Sequence, residues 1–206
     1  MLRSRYQQNG WLGIVRKSEA RERVLQAAES LFMRRGYEAV TVKDIAKEAG
    51  IHHASIYHHV PGGKADLFVE VMTRHLRQHQ AGIQAAIGGA GDDLEAQLRG
   101  ISAWLLSQPP MDLIRLTNSD LPSIDPKSAE ELENLAFFAL LVPIQSVLEQ
   151  AQQRGEIDHP NLGIVAGAIL SSVEGLHMIS EEYVQGSRQQ MAEQLIEVFI
   201  RGIARV

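Results

Sequence analysis

The chain has no cysteine among its 206 residues. That excludes a disulfide framework, thiolate zinc sites and a cysteine nucleophile. Aromatic residues are few, at 5%, and β-branched runs are scarce. Ala, Leu, Ile, Glu and Gln are plentiful, which favours an all-α fold. The amino terminus carries Arg3 and Arg5 but no apolar h-region, so no signal peptide is expected. The uncharged run His159 to Val173 contains Pro160 and falls short of the roughly 20 residues a spanning helix needs. No membrane partner is expected, and the cytoplasm is the expected location. There is no Gly-x-Ser-x-Gly elbow and no P-loop, since Gly62-Gly63-Lys64 lacks the spacing of a nucleotide-binding loop. No enzyme activity and no cofactor are expected.

What is present is an asymmetry of charge. The formal net charge is −5, yet residues 1–80 hold 13 Lys/Arg against 8 Asp/Glu, and residues 81–206 hold 7 against 17. A basic first third on an acidic remainder suits an anionic partner for the first third alone.

Residues 1–18 lack a sustained period and contain Gly10 and Gly13; they read as a flexible arm, with Arg3, Arg5, Arg16 and Lys17 available to a phosphate backbone. From about Glu19 to Arg35, the residues Val24, Ala27, Ala28, Leu31 and Phe32 recur at helical spacing, and Gly36 supplies the stop. Thr41 is a good N-cap for a helix over about 42–49, broken at Gly50. A short helix follows over about 52–58, then a longer one from Lys64 to about Gly82 with Leu67, Phe68, Val71, Met72 and Leu76 facing inward. Beyond the Gly88–Gly91 break come helices over about 92–107, 126–154 with Pro143 as a kink, 161–184 and 188–204. The stretch over 161–184 is apolar nearly all round. It and the last helix read as half of an intermolecular four-helix bundle, so a homodimer through the last two helices is expected.

The stretch Thr41 to Lys64, TVKDIAKEAGIHHASIYHHVPGGK, meets the geometric demands of a helix-turn-helix. Ala46 is the small residue where two helices cross, Gly50 suits a positive φ in the turn, and Ile56 anchors the second helix. Ile45, Ala49 and Ile51 fill the remaining core positions. The outward positions of the second helix are His52, His53, Ala54 and Ser55, which can meet base edges in a major groove. Tyr57, His58 and His59 are placed for phosphates, as is Lys64 at the start of the next helix, and Lys43 lies off the apolar face of the first. The expected organisation is an arm (1–18), a three-helix helix-turn-helix DNA-binding domain (19–66) and a helical ligand-binding and dimerisation domain (67–206).

At these residues the chain resembles the TetR family of bacterial regulators. The resemblance rests on A-A-E-S-L-F (27–32), R-G-Y (35–37), T-V-K-D-I-A-K-E-A-G (41–50) and I-Y-H-H-V-P-G-G-K-A-D-L-F (56–68). The YHHVPGGK stretch is similar to a subgroup with two glycines before the lysine. The resemblance implies that Thr41, His53, Ala54, Ser55, Tyr57, His59 and Lys64 contact a double-stranded DNA operator. It also implies a small-molecule effector in the C-terminal helices that tilts the fourth helix and releases the operator. His52 and Ala54 depart from the small residue and the Gly the family often has there, and Val60 replaces a frequent Phe.

For the effector site the sequence offers Trp104, Arg115, Phe137, Phe138, Glu174, His177 and Met178, an apolar set with one cation that would suit an anionic or aromatic ligand. Two rival signals concern metals. His75 and His79 have i, i+4 spacing but no third ligand, and read as two half-exposed imidazoles. Glu174 and His177 form Glu-x-x-His, a unit of di-iron bundles, with a second copy at Glu156 and His159 beside Gly155 and Pro160. A helical-bundle metal enzyme using Glu174 and His177 is the alternative reading.

Overall fold

The computed structural model describes residues 3–183 and 186–204; the side chains of residues 3–18 and of Glu181 lie outside that description. The elements are α1 (Arg3–Arg35), α2 (Val42–Glu48), α3 (His53–His59), α4 (Gly63–Gly89), α5 (Leu94–Ser107), α6 (Leu113–Arg115), α7 (Pro126–Ala136), α8 (Val142–Gln153), α9 (Leu162–Gly175) and α10 (Arg188–Ile203). No strand occurs among the described residues, so the all-α expectation holds. Helix α1 begins at Arg3, where the sequence predicts an arm. The segment has no proline, and each glycine costs a helix only about 1 kcal/mol. The basic side chains expected there, Arg3, Arg5, Arg16 and Lys17, lie outside the described residues.

The chain divides into two compact units. The first comprises Met1–Met72 and Ile114–Ala129, the second Thr73–Leu113 and Glu130–Val206. This differs from the expected boundary at 66/67, for two physical reasons. Leu67, Phe68, Val71 and Met72 are buried, and Phe68 meets Phe32 edge to face at 5.2 Å and Tyr37 at 5.0 Å. The later segment 114–129 is also bound to the end of α1 by polar contacts described below.

In the first unit, the turn after α2 is a Schellman motif. The Ile51 N–H donates to Ala46 O at 3.0 Å and the Gly50 N–H to Lys47 O at 3.2 Å, with Gly50 at φ +65°. Ala46 and Ile56 are buried where the two helices cross, as the spacing predicts. After α6 the chain widens into a π-helical turn, Leu116–Asp120, and then tightens into a 3-10 turn, Leu121–Ser123.

In the second unit, α5 packs on α8, α9 and α10. Leu98, Ile101 and Leu105 of α5 are buried, as are Ile144, Val147 and Leu148 of α8, Ile169 and Val173 of α9, and Ile196 of α10. The long helix expected over 126–154 is interrupted by a π-helical turn at Phe137–Leu141, and Pro143 sits in the first turn of α8. The backbone stays helical through Leu141, so the missing Pro143 N–H falls inside the helical run, directly after the π-helical turn. Helix α9 ends at Gly175 in a 3-10 turn, Leu176–Met178, short of the expected residue 184. By length and composition alone, Pro126–Gln153 is apolar enough to cross a membrane, an exception to the expectation drawn from His159–Val173; a third of its most apolar window is buried.

Candidate nucleic-acid interface

Helix α2 starts from a capping box. The Thr41 hydroxyl donates to Asp44 Oδ2 at 2.7 Å and accepts from the Asp44 N–H at 3.1 Å, and the Thr41 N–H donates back to Asp44 Oδ2 at 3.0 Å. These bonds hold the Asp44 carboxyl below the usual carboxylate range, the Thr41 side-chain bond first and its backbone bond second. The Thr41 hydroxyl proton is therefore committed inward, and Lys43 is exposed on the same helix.

Helix α3 carries one buried residue, Ile56, and turns the rest outward. His52, His53, Ala54, Ser55, Tyr57 and His58 are exposed, and His59 is half-buried. His53 and Tyr57, one turn apart, meet edge to face at 5.7 Å. His52 is not the first residue of the helix, as the sequence predicts, but its N-cap: the ring Nδ1 accepts the Ala54 N–H at 3.3 Å. The structure thus leaves the predicted reading residues exposed around the side of α3 away from Ile56.

Lys64 differs from a free phosphate-seeking ammonium. Its Nζ donates to Tyr37 O at 3.0 Å and lies 3.9 Å over the Tyr37 ring. It ties the start of α4 to the turn after α1. Burial raises the Tyr37 phenol above its ordinary value.

Two residues that the sequence reading placed elsewhere or left out hold that same turn. Arg115, which the sequence offers as an effector-site cation, belongs to the first unit. Its Nη2 donates to Phe32 O at 3.2 Å and Met33 O at 2.7 Å, two carbonyls at the end of α1, the first of which also accepts the Gly36 N–H at 2.9 Å. Its Nε reaches Asp120 Oδ2 at 3.4 Å, and Asp120 Oδ1 accepts the Tyr37 N–H at 2.8 Å. The only sequence signal was negative: an arginine and an aspartate five apart in a segment with no clear period.

The other effector-site candidates lie in the second unit. Phe137 (47% exposed), Phe138 (56%) and Met178 (79%) face solvent rather than line an interior, because neighbouring positions such as Ala139, Leu140 and Leu176 take the core. Trp104 lies on α4 where Gly82 leaves room: a Cβ there would come within 2.0 Å of the indole. The indole meets His79 edge to face at 6.4 Å, and its Nε1 is buried without a hydrogen-bond partner. Glu174 accepts the Met111 N–H at 3.1 Å, and burial pushes its carboxyl up to about 7 against the opposing pull of that bond and of His75. Burial lowers His177, whose ring bonds the Leu105 backbone and leaves Nε2 buried without a partner. His75 and His79 are buried, at 2% and 1% exposure, with their Nε2 atoms 3.1 Å apart; they are not half-exposed. They continue the α4 stripe of Phe68, Met72 and Ile83, which is the signal that could have shown it.

Among the described residues no three His, Asp or Glu side chains converge as metal ligands. Glu156 pairs with Arg154, and His159 caps the turn into α9 through the Asn161 N–H at 3.1 Å.

Residues 24–71 match the family model described as bacterial regulatory proteins, tetR family. The chain is 34% identical over 87 residues to the HTH-type transcriptional regulator LmrA of Bacillus subtilis (strain 168), covering 41% of this chain and 46% of that protein. It is 35% identical over 85 residues to the HTH-type transcriptional repressor KstR2 of Rhodococcus jostii (strain RHA1), covering 41% of each. The matched stretch spans less than half the length of these relatives. A bacterial regulatory protein in the tetR family from Rhodococcus RHA1 shares the fold with a TM-score of 0.74 at 17% identity, over 91% of this chain and 98% of that one. Over residues 24–71, where sequence and geometry both match, the helix-turn-helix is that of the tetR family of bacterial regulatory proteins, and the rest of the chain shares the fold of a solved structure in that family.

Proposed function

We propose that the chain is a transcriptional regulator that binds an operator in double-stranded DNA through α3 and leaves it when a small molecule occupies the second unit. The observation that carries this reading is the α2–α3 geometry, in which one anchored apolar residue, Ile56, presents His53, Ala54, Ser55 and Tyr57 together on a solvent face. A helix presented in that way fits a major groove. Lys43, His58, His59 and Lys64 flank it for phosphate contacts, while Thr41, whose two donors go to Asp44, holds the start of α2 beside them. Repression is supported by the name of the R. jostii relative. Such a regulator acts in the cytoplasm.

The effector site is assigned to the half-buried polar groups of the second unit, Trp104, Glu174 and His177. Their orphaned Nε1 and Nε2 atoms and raised carboxyl are costs that a bound polar molecule would relieve. A homodimer through α9 and α10 is supported by Ile164 and Val198, large apolar side chains exposed on those helices. Two recognition helices of a dimer meet half-sites about 34–36 Å apart.

The test is selection of bound fragments from the protein's own genomic DNA, followed by a small-molecule screen for release. The reading predicts an inverted repeat and at least one releasing compound. Recovery of fragments with no common sequence would overturn it.

A further inference from the structure

The bond that starts α3 fixes which atom of His52 faces outward. Nδ1 accepts the Ala54 N–H at 3.3 Å, while the Ser55 N–H is taken by the His52 backbone oxygen at 2.9 Å. A nitrogen that accepts an N–H has a free lone pair and carries no proton, so in the neutral ring the proton is on Nε2. The two ring nitrogens point in diverging directions, and the His52 side chain is exposed. What the ring offers beyond the helix is therefore one N–H donor and no acceptor. Helix α3 has seven residues, too few to persist on propensity alone, so the cap and the outward donor are coupled through one ring. Protonating Nδ1 would add charge to the ring but remove the cap.

We infer that His52 is a specificity residue that caps the recognition helix through Nδ1 and donates from Nε2–H to an acceptor on the DNA. The acceptor is the O6/N7 edge of a guanine, the N7 of an adenine, the O4 of a thymine or a phosphate oxygen; the C4 amino group of cytosine, a donor, is refused. The inference rests on α3 being the helix that reads DNA.

Two measurements test it. Nitrogen-15 spectra of the free protein at neutral pH read the tautomer of His52 directly and need no DNA. The Nε2–H form is expected, and the Nδ1–H form overturns the inference. Second, operator affinity is measured for the wild type, His52→Ser and His52→Ala on the selected fragment. Serine keeps a capping oxygen but has no outward N–H. His52→Ser is expected to retain the melting temperature and lose about tenfold in affinity, and His52→Ala to lose both stability and affinity. Wild-type affinity in His52→Ser overturns the inference. Operators with 7-deazapurines, with 2-aminopurine for guanine, with 5-methyl-2-pyrimidinone for thymine or with single methylphosphonates remove N7, O6, O4 and the phosphate oxygen in turn: the modification that weakens the wild type but not His52→Ser identifies the acceptor. No such modification at any position overturns it. A wild type that binds no fragment refutes the functional reading itself, while the tautomer result stands apart.

Discussion

Arg115 and Asp120 form an ion pair that closes the carboxyl end of a helix some 80 residues earlier in the chain. Arg115 Nε lies 3.4 Å from Asp120 Oδ2, Arg115 Nη2 takes the carbonyls of Phe32 and Met33, and Asp120 takes the Tyr37 N–H. The guanidinium adds a cation where the α1 dipole is negative, and the carboxylate fixes the first peptide beyond Gly36. Asp120 is 4% exposed, so removal of its partner leaves a buried charge.

Replacing Arg115 with Met should cost about 3 kcal/mol of unfolding free energy, because the Asp120 carboxylate and two helix carbonyls lose their shared donor. Asp120→Asn keeps an oxygen for the Tyr37 N–H and should cost about 1 kcal/mol. Urea unfolding of both variants checks the order. An Arg115→Met variant no less stable than Asp120→Asn would show that the pair is a surface contact.

Gly36 stands at φ +78°, and a Cβ there would lie 3.0 Å from Arg115 Cδ and from Asp120 Oδ1. Gly36→Ala combines left-handed strain with displacement of the ion pair and should destabilise by about 2 kcal/mol. Paired with Arg115→Met, the two losses should add to less than their sum, since the same clamp is removed twice. Full additivity in thermal melts would count against the clamp.

Glu174 carries a pH dependence whose sign follows from its burial. Its folded carboxyl lies at about 7 against an ordinary 4.5, so between those values the folded state holds a proton the unfolded state has lost. Its contribution is fully present below about pH 4.5 and is lost as pH rises through 7. Glu174→Gln removes the ionisation and should be more stable than the wild type at pH 8, by up to about 3 kcal/mol, with the difference shrinking towards pH 5. Melting curves at both values check this, and a variant whose advantage grew on acidification would contradict the assignment.

Lys64 has a structural and an electrostatic task. Lys64→Gln loses the bond to Tyr37 O and the cation over its ring, which should lower thermal stability by about 1 kcal/mol. If the ammonium also meets a phosphate, the slope of log affinity against log salt falls by about one. An unchanged slope with a lowered melting temperature would confine Lys64 to the turn.

The helix-turn-helix was legible because its constraints are local. Ala46, Gly50 and Ile56 lie within eleven positions, and each is required by backbone geometry at a crossing, a turn or an anchor. His52 was placed on the right face but one position inside the helix, because an imidazole is a rare cap. Arg115 was misplaced because its partners Phe32 and Met33 are reached only through the tertiary fold, and apolar periodicity carries no information about a polar contact of that range. Phe137 and Phe138 failed for a related reason: aromatic character marks a residue as worth burying, but the face that is buried was set by the packing of α8 and α9 around Ala139 and Leu140. His75 and His79 sit on a readable stripe, and their expected half-exposure fails because the apolar neighbours of that stripe carry the two rings into the core.

The claim on which the rest depends is that the outer face of α3 reads DNA. DNase footprinting on the protein's own upstream DNA, for the wild type and for His53→Ala/Ser55→Ala, tests it most directly. Both replaced side chains are exposed, so the fold should survive the change, and unaltered melting would confirm that it does. The account predicts a discrete inverted repeat protected by the wild type and lost in the double variant at equal protein concentration. An identical footprint in both proteins, or no discrete protection by the wild type, would contradict it.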